Sequence, residues 1–95
     1  MKYVVLQHPD KMPLVVLGMM VTHRDLAEPW IARGYRPTSA GFVAVLPSGR
    51  FRTFGFSESL QLTPDRFDDR MLASMHDATV QTAPSTDYAA QPSKP

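Results

Sequence analysis

The stretch from Gly41 to Phe56 restricts the fold more than any other part of this chain. It runs Gly-Phe-Val-Ala-Val-Leu, then Pro47-Ser48-Gly49, then Arg-Phe-Arg-Thr-Phe-Gly-Phe. Pro47 presets the first turn position, and Gly49 suits the left-handed position of a three-residue turn with a bulge. The segment therefore predicts a β-hairpin that pairs Leu46 with Arg50, Ala44 with Arg52 and Phe42 with Phe54. Side chains alternate across a strand, so Val43, Val45, Phe51 and Thr53 are expected to face the core. Phe42, Ala44, Leu46, Arg50, Arg52 and Phe54 fall on the other side, a mixture of apolar and charged groups.

Two more strands precede this hairpin. Residues 2–8 and the almost wholly apolar residues 14–21 are separated by Pro9-Asp10-Lys11-Met12-Pro13, a proline-punctuated turn. A strand as apolar as the second belongs in the centre of a sheet, covered on both faces, or at a subunit contact. Thr22 is placed to cap a helix, with Asp25 three positions on as a variant capping box and Val21 and Leu26 as its staple. Leu26, Ala27, Trp30 and Ile31 share one side of that helix, and Gly34 supplies its stop. Pro29 predicts that the helix is short and kinked, or that it begins near the proline. Thr63-Pro64-Asp65 opens a second helix, with Phe67, Met71, Leu72 and Met75 as its apolar stripe and Asp65, Asp68, Asp69 and Arg70 facing away. The order is ββαββα. The expected architecture is an α+β domain: a four-stranded, mainly antiparallel sheet with both helices on one face.

Residues 78–95 are dominated by Pro, Ser, Thr, Ala and Gln, with Val80 and Tyr88 as the sizeable apolar groups. Such a segment buries too little to offset its ordering entropy, which predicts a disordered tail after a single domain spanning 1–77. A core built from so short a chain has little room for a deep enclosed pocket.

Composition removes several classes of function. The chain of 95 residues has no cysteine, which excludes disulfides, iron–sulfur clusters, thiolate zinc sites and a cysteine nucleophile. Ten Lys and Arg against nine Asp and Glu leave a net charge of +1, against a DNA-coating protein or a polybasic membrane anchor. The apolar run Leu14–Val21 falls far short of the roughly 20 residues that span a bilayer. The N-terminal residues show no long apolar stretch followed by a cleavage site, which argues against export by signal peptide.

Four groups of residues are candidates for chemistry. Gly55-Phe56-Ser57-Glu58-Ser59 is laid out like a nucleophile elbow, but serine stands where the last glycine must be, and Leu-Gln-Leu follows instead of a helix. The expected role of its hydroxyls is to cap local backbone. His8, His23 and His76 lack metal-ligand spacing and sit at turns or helix ends. Asp65, Asp68 and Asp69 lack the calcium-loop pattern and are expected on a solvated helix face. Arg33, Arg36, Arg50 and Arg52 form the basic candidate. Arg50 and Arg52, with Phe42 and Phe54 further along the same strand face, combine charge for phosphate with rings for bases. The same face carries more apolar surface than one small monomer explains, which marks a protein contact unless the kinked first helix, Trp30 and Tyr35 wrap over it.

The segments Ser39-Ala40-Gly41-Phe42-Val43 and Phe54-Gly55-Phe56-Ser57-Glu58-Ser59-Leu60-Gln61-Leu62, followed by an Asp-rich helix, resemble short uncharacterised proteins of bacterial genomes and mobile elements. The resemblance covers residues 20–75. It implies a bacterial, cytoplasmic accessory protein and assigns no site. The expectation is a non-enzymatic module that needs no cofactor or metal and contacts a protein partner, or a second copy as a homodimer. Its interaction surface comprises Phe42, Leu46, Arg50, Arg52 and Phe54. The alternative is a single-stranded nucleic-acid binder using the same basic and aromatic face.

Overall fold

The computed structural model describes residues 1–75 and 80–83. The elements run β1 (Lys2–Gln7), β2 (Leu14–Gly18), α1 (His23–Ile31), β3 (Arg36–Val45), β4 (Phe51–Phe54), α2 (Asp68–Met75) and β5 (Val80–Ala83). The first six reproduce the expected ββαββα order of an α+β domain. The sheet order is β4-β3-β1-β2-β5. Its first four strands are antiparallel to their neighbours, and β5 adds to β2 in parallel. Four residues of the segment expected to be a tail are thus a strand. The rest of that expectation falls on residues outside those described.

The helices lie on opposite faces of the sheet, not on one face as expected. Val4, Leu6, Val16 and Ala40 pack with Leu26 and Ala27 of α1 and with Tyr35. Tyr3, Val5, Val15, Leu17 and Val43 pack with Leu72 of α2. The cause is visible in β1 and β2. Tyr3, Val4, Val5 and Leu6 are consecutive and apolar, as are Val15, Val16 and Leu17. Alternation sends half of each run to either face, so one layer of helices leaves the other half in water.

Local signals set the element boundaries. Thr22 Oγ1 accepts from the Asp25 N–H at 3.0 Å, and the Asp25 carboxylate accepts from the Thr22 N–H at 3.3 Å, closing the capping box. Helix α1 begins there and continues through Pro29, which is exposed. It ends where the Gly34 N–H donates to Ile31 C=O and the Tyr35 N–H to Trp30 C=O, both at 3.0 Å, with Gly34 at φ 95°. This is the Schellman pattern, completed by the edge-to-face contact of Trp30 and Tyr35 at 5.6 Å.

The hairpin has the expected register: Phe42 opposite Phe54, Val43 opposite Thr53, Ala44 opposite Arg52, and a Leu46 N–H bond to Arg50 C=O at 2.8 Å. Its core side closes only in part. Val43 is buried, Phe51 and Thr53 are half-buried, and Val45 is 66% exposed. β1 starts level with Phe42, and the Val43 N–H already reaches Met1 C=O. Beyond that level the hairpin tip overhangs the end of β1.

Asp65, Asp69 and Arg70 are exposed as expected, but Asp68 is buried and, with Asp69, fastens α2 to the sheet. Helix α2 starts at Asp68, later than Thr63-Pro64-Asp65 suggests, and Asp68 is only 2% exposed. Its carboxylate accepts from Tyr3 Oη at 2.5 Å, Ser39 Oγ at 3.0 Å and the Asp65 N–H at 2.9 Å. Asp69 Oδ1 accepts from both the N–H and Oγ1 of Thr53, at 2.9 and 2.6 Å. Phe67, expected in the apolar stripe, is 49% exposed, while Leu72 is fully buried.

Candidate functional site: an aromatic cleft beside the first helix

The pairing of β3 with β4 places Phe42 beside Phe54, with ring centroids 5.8 Å apart and planes 26° from parallel. On the other side of β3, Lys2 is level with Phe42, and its Nζ lies 5.8 Å from the ring centroid. His23, at the start of α1, meets the edge of the same ring at 5.3 Å. Phe56 follows two residues after Phe54. Together they line an open cleft of about 600 Å³, with Thr22, Glu58 and Ser59 on its rim. Phe54 and Phe56 remain 48% and 56% exposed.

Glycine permits this arrangement at two positions. A Cβ on Gly55, which has φ 74°, would stand 2.9 Å from Phe42 Cδ1. A Cβ on Gly41 would stand 2.7 Å from the Phe54 carbonyl oxygen and 2.8 Å from Pro64 Cγ. Both lie well inside van der Waals contact, so a side chain at either would push the aromatic strands apart.

The outer wall is held by hydrogen bonds. Ser57 and Leu62 exchange both backbone bonds, at 2.8 and 3.2 Å. The Ser57 side chain is fully buried and its Oγ accepts from the Leu60 N–H at 3.1 Å, a backbone cap. Ser59 Oγ accepts from the Arg24 N–H at 3.0 Å, tying the wall to the first turn of α1. The cleft is therefore walled before any ligand arrives.

His23 is buried and its Nε2 is 2.7 Å from Gly41 C=O. A carbonyl only accepts, so Nε2 carries the proton in that bond. Burial pushes the His23 pKa below the ordinary histidine value, and the Lys2 charge acts in the same direction, against the Gly41 bond. The imidazole is neutral at pH 7, and Lys2 is the cationic group of the cleft.

The five residues of the expected surface are divided. Phe42 and Phe54 line the aromatic cleft. Arg50 lines a different cleft of about 600 Å³, together with Phe51, Arg66, Asp69 and Arg70. Leu46 and Arg52 are exposed and line neither. Sequence reasoning missed Lys2, His23 and Phe56 as members of the first cleft, and Arg66 and Arg70 as companions of Arg50. Phe56 is legible as the next exposed ring after Phe54. Lys2 and His23 come from distant elements and carry no local signal. His8 is separate from His23: its Nδ1 accepts from the Asp10 N–H at 2.9 Å and its ring lies 4.8 Å from that of Tyr35. His76 lies outside the described residues.

No helix among the described residues is long and apolar enough to cross a membrane. No family model, curated protein or solved structure matches the chain.

Proposed function

We propose that this protein is a small, non-enzymatic interaction module that captures an apolar side chain of a partner protein in the Phe42–Phe54–Phe56 cleft. The observation that carries this reading is one concavity lined by three phenylalanine rings, of which Phe54 and Phe56 are exposed and Phe42 is half-buried. Aromatic pockets of this kind supply the anchor points of protein interfaces. Lys2 and Glu58, both among the lining residues, offer opposite charges to groups flanking the anchor. Side-chain capture is favoured over addition of a strand to β4, because Asp69 already occupies the Thr53 N–H on that edge. A non-enzymatic role fits the chemistry of His23. Its Nε2–H bonds Gly41, and no hydroxyl or carboxylate among the described residues orients the other nitrogen as a nucleophile–base pair requires. The resemblance of residues 20–75 supports a bacterial, cytoplasmic setting.

The test is selection from a random peptide library against the full chain. Enriched peptides should share an aromatic or branched aliphatic residue. They should lose at least about tenfold in affinity to Phe54→Ser, about 1.4 kcal/mol, and bind Arg52→Ser unchanged. Self-association that blocks the cleft would identify a second copy as the occupant instead. Peptides that bind Phe54→Ser as well as the native chain would remove the proposal.

A further inference from the structure

We infer that the cleft between β4 and α2 binds the phosphate groups of a single-stranded nucleic acid. This site is separate from the aromatic cleft and differs from the surface that Arg50, Arg52 and Phe54 would form together.

Three arginines converge there. Arg50 is positioned by the hairpin, through the Leu46 N–H bond to its C=O and the bond from its own N–H to Ser48 Oγ at 3.4 Å. Arg66 comes from the turn before α2 and Arg70 from the helix itself. Their guanidinium carbons lie 4.8 and 5.7 Å from the centroid of the Phe67 ring. Among the described residues, none of the three guanidinium groups has an ion-pair or hydrogen-bond partner. Asp69 is the carboxylate that lines the cleft, and its Oδ1 is already taken by the two bonds from Thr53.

Three cations around one engaged carboxylate repel one another, and a bound anion relieves that repulsion. Guanidinium groups present paired N–H donors that match phosphate oxygens. Phe67 lines an adjoining hollow and not this cleft, but its half-exposed ring lies beside Arg66 and Arg70 and decides which phosphate compound fits. A ring flanked by cations offers stacking to an unpaired base. A duplex, whose bases are already stacked, and a bare inorganic anion make no use of it.

The experiment is fluorescence anisotropy of a labelled twelve-nucleotide oligothymidylate with the full chain between 50 and 200 mM salt. Binding should weaken with a log–log salt slope of about −2, the value for three phosphates on a single strand. The triple variant Arg50→Ser, Arg66→Ser, Arg70→Ser should lose at least tenfold in affinity, and Phe67→Ala at least threefold. All four side chains are exposed, and circular dichroism checks that the variants fold. A double variant Arg24→Ser, Arg33→Ser, which removes charge elsewhere, should bind within twofold of the native chain. Phe54→Ser should also bind normally, so failure here and failure of peptide capture read out separately. No binding at 50 mM salt, or a triple variant that binds as well as the native protein, overturns the inference. So does equal affinity for inorganic phosphate, or binding to phosphatidylserine vesicles in preference to the oligonucleotide.

Discussion

The two faces of the sheet are closed by different chemistry. Under α1 the contacts are apolar: Leu26 and Ala27 sit on Val4, Leu6, Val16 and Ala40, with the helix ends held by a capping box and a glycine stop. Under α2 a comparable apolar contact around Leu72 is joined by two aspartates that fasten the helix to β1, β3 and β4. Apolar contact is non-directional and tolerates small shifts. A buried carboxylate with three donors does not, since each donor left alone has lost its water without replacement. The α1 face should therefore degrade gradually with lost area, and the α2 face abruptly with lost atoms.

The sharpest test of that contrast is Asp68→Ala. It strands Tyr3 Oη and Ser39 Oγ in the interior and should cost about 4 kcal/mol in urea unfolding, from two buried unpaired groups at up to ~2 kcal/mol each. A loss under about 1 kcal/mol would show that the network is not under load. Next come Leu72→Ala and Leu26→Ala, one per face, each expected to cost about 3 kcal/mol from lost burial and the cavity left behind. Similar values for the two would locate the asymmetry between faces in the aspartates alone.

Tyr3→Phe is milder, about 1.5 kcal/mol, because the ring still fills its space and only the hydroxyl bond is lost. It also has a signature in pH. Burial raises the Tyr3 pKa, and the hydrogen bond to Asp68 and that carboxylate's charge add to the shift. The folded state therefore resists ionisation that the unfolded chain undergoes near pH 10. Stability should be intact below about pH 10 and fall as pH rises past it. Tyr3→Phe should flatten that alkaline limb, whereas an unchanged limb would assign it to other groups.

The smallest effect belongs to His23. Its folded pKa is depressed, so the unfolded chain takes up a proton first as pH falls. The contribution is complete above about pH 6.5 and declines below it until the folded-state pKa is reached. The initial slope is at most about 1.4 kcal/mol per pH unit. Stability of His23→Gln should vary less between pH 7 and 5 than that of the native chain, measured by thermal melts.

Much of the local structure was legible. Pro47-Ser48-Gly49 specified the hairpin and its register because a turn is chosen by the backbone preferences of its own few residues. Thr22 and Asp25 marked the start of α1 for the same reason, three positions apart. The placement of helices was less legible: the uniform apolarity of residues 14–21 fitted either cover on both faces or a subunit contact. The candidate site divided along the same line. Phe42 and Phe54 follow from hairpin register, and Leu46, Arg50 and Arg52 shared their predicted side. The surroundings that separate Arg50 from Phe42 come from α2 and the loop after β4.

The sequence by itself determined the hairpin, the caps and the alternation that puts Phe42 and Phe54 side by side. Each depends on conformational preferences and hydrogen bonds spanning a few residues. The tertiary structure alone decided that Asp68 is interior, through bonds to Tyr3 and Ser39, 65 and 29 positions away. It also decided that His23 joins the aromatic cleft and that Arg50 joins Arg66 and Arg70. The reason is that burial and local charge are properties of whatever surrounds a side chain, and folding brings those surroundings from elsewhere in the chain.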